Sequence, residues 1–297
     1  MRKKNLTIFT PTYNRSYCLP ILYKSLRNQS NNDFTWLIID DGSTDETRKL
    51  VEKWKTKNKI QIEYIFKKNQ GMHSAHNVAY ENITTEWNIC IDSDDYLPND
   101  AVDIILKSCL NLNQNLAGIV GLDINKKGGI LGTKIPSHIK ECTLGDLYEK
   151  YKVKGDKKLV YRTEIVKKYP KYPIFPNEFF VPLGYLYNLI DQDYLLKPIN
   201  RALVIVEYKK DGSTLNIYKQ YRNNPRGFAF NRISKIKSSK NLKIQFKNTI
   251  HLISSVLFIK DFSMLKQIQK PILLFLAFPF GLLLNIYIQF KTKQNTK

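Results

Sequence analysis

The 297-residue chain is poor in the residues that build metal clusters and disulfide frameworks. It has four cysteines, Cys18, Cys90, Cys109 and Cys142, and four histidines. No C-x-x-C pair occurs, and His73 and His76 have no cysteine spaced to complete a tetrahedral site, so neither a disulfide scaffold nor structural zinc is expected. Thirteen Gly and twelve Pro are too few for collagen-like or low-complexity architecture. Met1-Arg-Lys-Lys runs straight into a strand-like segment, so no secretory leader is expected and the scattered thiols fit a reducing cytosol. Acidic residues are also scarce: 26 Asp and Glu stand against 47 Lys and Arg, a net charge of +21. The deficit is local. Residues 212 to 260 hold ten Lys or Arg and no Asp or Glu, and residues 201 to 297 carry eighteen basic and three acidic side chains. Such an excess calls for an anionic partner: nucleic acid, a phosphorylated ligand or an acidic lipid surface. What the chain does have is apolar side chain, 43% with 12% aromatic, which excludes intrinsic disorder.

The first 125 residues alternate short β-type runs with helix-like stretches, the pattern of an α/β fold with an open, mostly parallel sheet. Strands are expected at Leu6 to Thr10, Trp36 to Ile39, Ile60 to Phe66, Trp87 to Ile91 and Ala117 to Leu122. Helices are expected at about Ser16 to Asn28, His73 to Glu81 and Asp100 to Leu112. Ser43-Thr-Asp-Glu46 reads as a capping box for a further helix, whose buried stripe is Leu50, Val51 and Trp54. Beyond that, Thr143-Leu-Gly-Asp146 opens a short helix, Leu159 to Arg162 and Ala202 to Tyr208 read as strands, and Pro170, Pro173 and Pro176 punctuate a loop. The division expected is a catalytic domain over 1–215, with halves at 1–125 and 126–215, and a basic, apolar helical tail over 216–297.

The most apolar stretch runs from Pro271 to Phe290. Twenty residues at about 1.5 Å each would cover the ~30 Å of a bilayer's hydrocarbon. Pro279 and Gly281 interrupt it, and lysines flank both ends: Lys266 and Lys270 before, Lys291, Lys293 and Lys297 after. The expectation is a broken or in-plane helical hairpin set into the cytoplasmic leaflet, the basic run beside it supplying attraction to anionic lipid. The competing reading is a buried pair of core helices.

The chemistry concentrates at strand ends. Asp92-Ser93-Asp94-Asp95 follows an apolar strand, and such crowded carboxylates repel one another unless a cation sits among them; hard oxygen ligands suit Mg²⁺ or Mn²⁺, which can hold a diphosphate. Alone, the cluster also admits the reading of a solvated acidic turn capping the helix after Pro98. Asp40-Asp41-Gly42-Ser43 ends a second strand, and in an open α/β sheet two such ends face a common crevice. Thr10-Pro11-Thr12-Tyr13-Asn14-Arg15 closes the first strand, with Arg15 available to a phosphate or a base carbonyl.

In this order and spacing, Pro11-Thr-Tyr-Asn-Arg15, Asp40-Asp-Gly-Ser-Thr-Asp45, Asn69-x-Gly71 with Ala75-His-Asn77, and Asp92-Ser-Asp-Asp95 resemble the family-2 glycosyltransferases of the GT-A fold. The resemblance continues more weakly through Gly155-Asp156, Tyr161-Arg162, Asn177-Glu178 and Glu207-Tyr208 to Asp211-Gly-Ser213, a portion similar to bacterial transferases that build capsular or exopolysaccharide repeats. It implies a nucleotide-diphospho-sugar donor, most often UDP-linked. Pro11, Thr12, Tyr13, Asn14, Arg15, Asp40, Asp41, Gly42, Asn69, Gly71, Asn77, Asp92 and Ser93 would then line the donor site. It further implies that Asp41 meets the base, that Asp92 and Asp94 form the D-x-D pair for ribose and metal, and that Asp95 shares the metal. Transfer would be inverting, to a polyprenyl-diphosphate-linked glycan. The departure is the general base. Pro182 and Leu183 stand where the family usually carries an acidic residue, so Glu178 is the expected base, with Asp191 or Asp193 as substitutes. Met72 replaces a common lysine. A basic nucleic-acid-binding protein and a sugar nucleotidyltransferase are the alternative readings, but no nucleic-acid motif and no glycine-rich phosphate loop accompany the charge.

Overall fold

A computed structural model describes residues 4–207 and 217–293, which form two compact units. Tyr208 and Asp211-Gly-Ser213 lie outside the described residues.

The first unit, residues 4–69, 75–170 and 190–207, is built on a seven-stranded sheet. Its strands are β1 (Leu6–Thr12), β2 (Phe34–Asp40), β3 (Ile62–Phe66), β4 (Trp87–Cys90), β5 (Leu116–Ile124), β6 (Lys157–Arg162) and β7 (Leu195–Ile205), in the order β3-β2-β1-β4-β6-β5-β7. β3, β2, β1 and β4 run parallel, β6 is antiparallel to both its neighbours, and β7 runs parallel to β5. All seven residues of β1 and of β2 are buried, as expected of central parallel strands covered on both faces.

On one face pack α1 (Leu19–Arg27), α2 (Thr47–Lys57) and α4 (Ala101–Cys109). They bury Leu22, Leu26, Val51 and Ile105 against Ile8, Trp36, Ile38 and Ile89. Trp36, Tyr23 and Trp54 stack in series, with ring centroids 4.3 to 6.1 Å apart. On the other face Phe9 meets His76 and Tyr80 of α3 (Met72–Asn82) edge-on. α5 (Leu144–Glu149) and α6 (Thr163–Val166) complete this unit, and Thr143 caps α5 by accepting from the Asp146 N–H.

The second unit, residues 70–74, 171–189 and 217–293, is helical. Much of α7 (Gly184–Asp193) belongs to it, with α8 (Ile217–Asn223), α9 (Pro225–Ser238), α10 (Leu242–Ile259) and α11 (Pro271–Lys293). Its core joins Ile233 and Ile236 of α9 to Leu252 and Val256 of α10. The expected broken hairpin is instead one continuous 23-residue helix, α11, with Pro279 inside it. Proline removes one helical hydrogen bond, but packing on α10 keeps the axis continuous. Ala277, Gly281, Asn285, Ile288 and Thr292 form the buried stripe, and a Cβ on Gly281 would lie 2.5 Å from Ile253 Cβ. Nor is α11 a core helix, because Ile272, Phe275, Leu276, Leu283, Ile286 and Phe290 on its other flank are each more than half exposed. It is long and apolar enough to cross a membrane.

Candidate functional site

Three neighbouring parallel strands, β2, β1 and β4, end side by side. Thr12 pairs with Asp40 in register, the Asp41 N–H donates to the Thr12 carbonyl (2.8 Å), and the Ile91 N–H donates to the Phe9 carbonyl (3.0 Å). With strands about 4.8 Å apart, the Asp40-Asp41 turn and the Asp92 turn therefore stand about 10 Å apart on one edge of the sheet, with Thr12 and Tyr13 between them. Of the third motif, Asn69, Ala75, His76 and Asn77 belong to this sheet unit, whereas Gly71 belongs to the helical unit.

Each member of the edge is held by its own local chemistry. Asp40 is fully buried and organises the turn, its carboxylate accepting from the Ser43 N–H (2.8 Å) and the Tyr64 hydroxyl (2.6 Å). Asp41, 4% exposed, pairs with Lys67 Nζ at 2.5 Å. Gly42 takes the left-handed region with φ +89°, and a Cβ there would lie 2.8 Å from the Asn69 nitrogen, so glycine alone lets those two loops touch. Asn14, also left-handed at φ 52°, spans from the β1 loop to the next: its N–H donates to Ser43 Oγ and its Oδ1 accepts from the Thr44 N–H, both at 2.8 Å. Arg15 lies against Tyr17, to whose hydroxyl it donates. Pro11 and Thr12 are buried, the Thr12 hydroxyl has no hydrogen-bond partner, and Tyr13 is 48% exposed.

Ser43 therefore does not cap α2 as expected. That helix starts at Thr47, and Asp45 receives the Thr47 N–H (3.0 Å) while its other oxygen receives the Ser16 N–H (3.0 Å). The capping box loses because Asn14 and the Asp40 carboxylate already engage Ser43.

At the second cluster, the Asp95 N–H donates to the Asp92 carbonyl (3.0 Å), closing a tight turn. Asp92 and Asp94 are half-buried, while Ser93 and Asp95 are buried. Asp95 accepts weakly from the Glu207 N–H (3.4 Å). Burial pushes its carboxyl up to about 7; Asp92 and Asp94 add to the shift and Lys158 opposes it. Three converging metal ligands are not found here: among the described residues no group of three His, Cys, Asp or Glu side chains is placed to hold a metal. The carboxylate oxygens of Asp92 and Asp94 are hard donors of the chemistry that suits Mg²⁺ or Mn²⁺.

Lys67 and Lys158 are the residues that sequence reading missed. Lys158, on β6, is half-buried. Burial opposes its charge, yet Asp123, Asp92 and Asp95 hold its pKa above the ordinary lysine value. The one available signal was a pair of doublets, Lys67-Lys68 and Lys157-Lys158, each at an end of a strand that faces acids.

His76 is fully buried, its ring nitrogens near the Tyr80 hydroxyl (3.3 Å) and Cys90 Sγ (3.6 Å), and its ring packs edge-on against Phe9. Asn77 is buried beside it on α3. A cavity of about 160 Å³ opens at the amino ends of β1 to β3, lined by Thr7, Thr35, Gln61, Glu63 and Thr85; it lies at the far end of these strands from the acidic edge.

The two expected bases each cap a helix. Glu178, 5% exposed, accepts from the Arg226 N–H (3.0 Å) and the Gly227 N–H (2.9 Å) at the start of α9. Asp191 accepts from the Leu144 N–H (3.0 Å) and the Gly145 N–H (2.8 Å) at the start of α5, and burial raises it to about 6 against the lowering effect of those bonds. Asp193 accepts from the Tyr169 hydroxyl (2.6 Å). In the helical unit, Gly71, at φ +91°, passes so close to Phe179 that a Cβ would fall 1.9 Å from its carbonyl oxygen.

The family model described as glycosyl transferase family 2 matches residues 7–162. Among curated proteins, an uncharacterised glycosyltransferase of Rickettsia conorii is 32% identical over 148 residues, 47% of this chain and 24% of that protein. A GalNAc(5)-diNAcBac-PP-undecaprenol β-1,3-glucosyltransferase of Campylobacter jejuni is 28% identical over 128 residues, 42% of this chain and 40% of that protein. The chain thus spans about a quarter of the first relative's length. Among solved structures, Staphylococcus aureus TarS residues 1–349 with UDP-GlcNAc superposes with a TM-score of 0.62 at 16% identity, covering 98% of this chain and 92% of that one. That likeness is one of fold, the GT-A fold.

Proposed function

The chain belongs to glycosyl transferase family 2, and we propose that it transfers a sugar, with inversion, from a UDP-sugar to a lipid-linked glycan at the cytoplasmic face of the membrane, in capsular or exopolysaccharide assembly. The observation that carries this is the shared strand edge, where Thr12, Asp41 and the Asp92 turn stand on neighbouring parallel strands. The UDP-GlcNAc in the TarS structure supports the donor class. The lipid-linked glycan named for the Campylobacter relative supports the acceptor class. The bare apolar flank of α11 beside a stretch with no acidic residue from 212 to 260 supports the membrane.

In this reading Asp41 accepts from the base, and Thr12, with its unengaged hydroxyl, faces the nucleotide beside Tyr13. Asp92 and Asp94 would hold Mg²⁺ or Mn²⁺, which when bound supplies positive charge at the departing diphosphate. Glu178 is the proposed base, with Asp191 second: a carboxylate whose oxygens each accept one N–H keeps further lone pairs on both. Deprotonating the acceptor hydroxyl as it attacks the anomeric carbon breaks the bond to the diphosphate from the opposite face, which inverts that carbon.

Purified protein given a panel of nucleotide-sugars, a divalent metal and a membrane lipid extract should release UDP only when all three are present. Asp94→Ala should lower that release by about 100-fold or more. Undiminished activity in this variant would overturn the metal assignment, and release of pyrophosphate from NTP and sugar phosphate would favour a nucleotidyltransferase. Glu178→Gln cannot take a proton, so kcat should fall about 100-fold; it keeps only one of the two acceptor oxygens for α9, so the urea midpoint should drop as well. A lowered midpoint with kcat kept would leave Glu178 a helix cap only.

A further inference from the structure

The helical unit holds a half-buried cation, Arg232, in a stretch that carries no acidic residue from 212 to 260. Arg232, on α9, sends Nη1 to Asn248 Oδ1 (2.9 Å) and is hydrogen-bonded to the Tyr221 hydroxyl, while its Nε is buried without a partner. No carboxylate among the described residues pairs with it, and residues 212 to 260 contain none. Opposite stand His251, Ser254 and Ser255 on one face of α10, the spacing that places helix residues side by side. Ser254 is 2% exposed and its hydroxyl has no partner. These groups, closed off by Phe258 of α10 and Ile288 of α11, line a cavity of about 10 Å³, room for about one oxygen atom.

The electrostatics agree with the geometry. Burial, and then the positive charges of Arg232 and Lys247, push His251 down to about 4. A guanidinium with a buried, unpartnered Nε and only neutral hydrogen-bond partners favours the entry of a negatively charged, acceptor-only oxygen. Guanidinium and hydroxyl donors together match a phosphate oxygen. One wall of the cavity is Ile288 of α11, a helix whose other flank is bare and apolar, and phosphate beside hydrocarbon is the chemistry of a lipid headgroup.

We propose that Arg232, His251 and Ser254 form a phosphate site, in which one oxygen of a phosphate-bearing lipid headgroup enters the cavity between α9, α10 and α11. The proposal rests on the reading of α11 as lipid-facing but not on glycosyl transfer, and its test uses no turnover.

The test is sedimentation of the full-length protein with phosphatidylcholine vesicles doped either with phosphatidic acid or, to the same surface charge, with cholesteryl hemisuccinate, a carboxylate lipid. Wild type should half-saturate at about tenfold less phosphatidic-acid lipid than carboxylate lipid. Arg232→Gln and Ser254→Ala should each bring the two close to parity, and Lys237→Gln, which removes an exposed charge of the same unit, should weaken both equally. Ser254→Ala changes no charge and little volume, so it reports even if Arg232→Gln misfolds. Equal binding of both vesicles by wild type, or a preference that survives in both cavity variants, would overturn the phosphate site while leaving the lipid-facing reading of α11 intact. Failure to bind either vesicle would overturn both. Loss of the preference in millimolar inorganic phosphate would assign the cavity to free phosphate and overturn the lipid assignment.

Discussion

Asp41 and Lys67 form a close pair with side chains only 6% and 13% exposed, so neither charge has water to fall back on. Removing one partner of a buried pair typically costs about 3–5 kcal/mol, because the other is left uncompensated. Asp41→Asn should lower unfolding free energy by about that much in urea denaturation, apart from any effect on donor binding. His251 predicts the pH response of the helical unit. Its folded pKa of about 4 lies below the ordinary 6.5, so above pH 6.5 the residue is neutral in both states, whereas below it the unfolded chain takes up a proton that the folded chain refuses. Stability should therefore fall as pH drops from about 6.5 to 4, by up to about 3 kcal/mol. His251→Gln should flatten that part of the stability profile. Asp41 was legible because an Asp-Asp-Gly turn after an apolar strand has few uses. Its partner was not, because a lysine twenty-six residues away reaches it only once β3 has paired with β2.

Among the elements, the parallel strands announced themselves by unbroken apolar runs, and β1, β2 and β4 lie where those runs fall. β7 did so only at its end, from Ala202: residues 195–201 include Lys197, Pro198, Asn200 and Arg201, a polar composition that alternation rules demote, and it is the neighbour β5 that holds them in the sheet through several register shifts. The start of α2 was misplaced because local capping rules cannot see Asn14, twenty-nine residues back, claiming Ser43. In α11, Pro279 signals a break, yet the stripe from Ala277 to Thr292 along α10 outweighs it. The contact most sensitive to size in that stripe is Gly281 on Ile253. Gly281→Leu should part the two helices at a cost of about 1–3 kcal/mol, read as a lower melting temperature with faster amide exchange in α10 and α11.

At the scale of the whole molecule, the acidic strand edge belongs to the sheet unit, whereas the acid-free basic run from 217 to 260 and the bare flank of α11 belong to the helical one. Composition alone could report the charge but not its owner. The four motifs stand out in the sequence by order and spacing, but their distribution over two units does not, since nothing in Asn69-x-Gly71 says that the chain changes unit between its two ends. The stacked Trp36 and Trp54 carry a practical consequence. With Trp87, which lies under the Arg162 guanidinium, they are the only tryptophans in the chain, and all three reside in the sheet unit. Fluorescence excited at the red edge of the absorption band is therefore blind to the helical unit, while far-ultraviolet ellipticity sees both. Two melting curves that separate would mean the units come apart one at a time, with the optical signal itself saying which goes first.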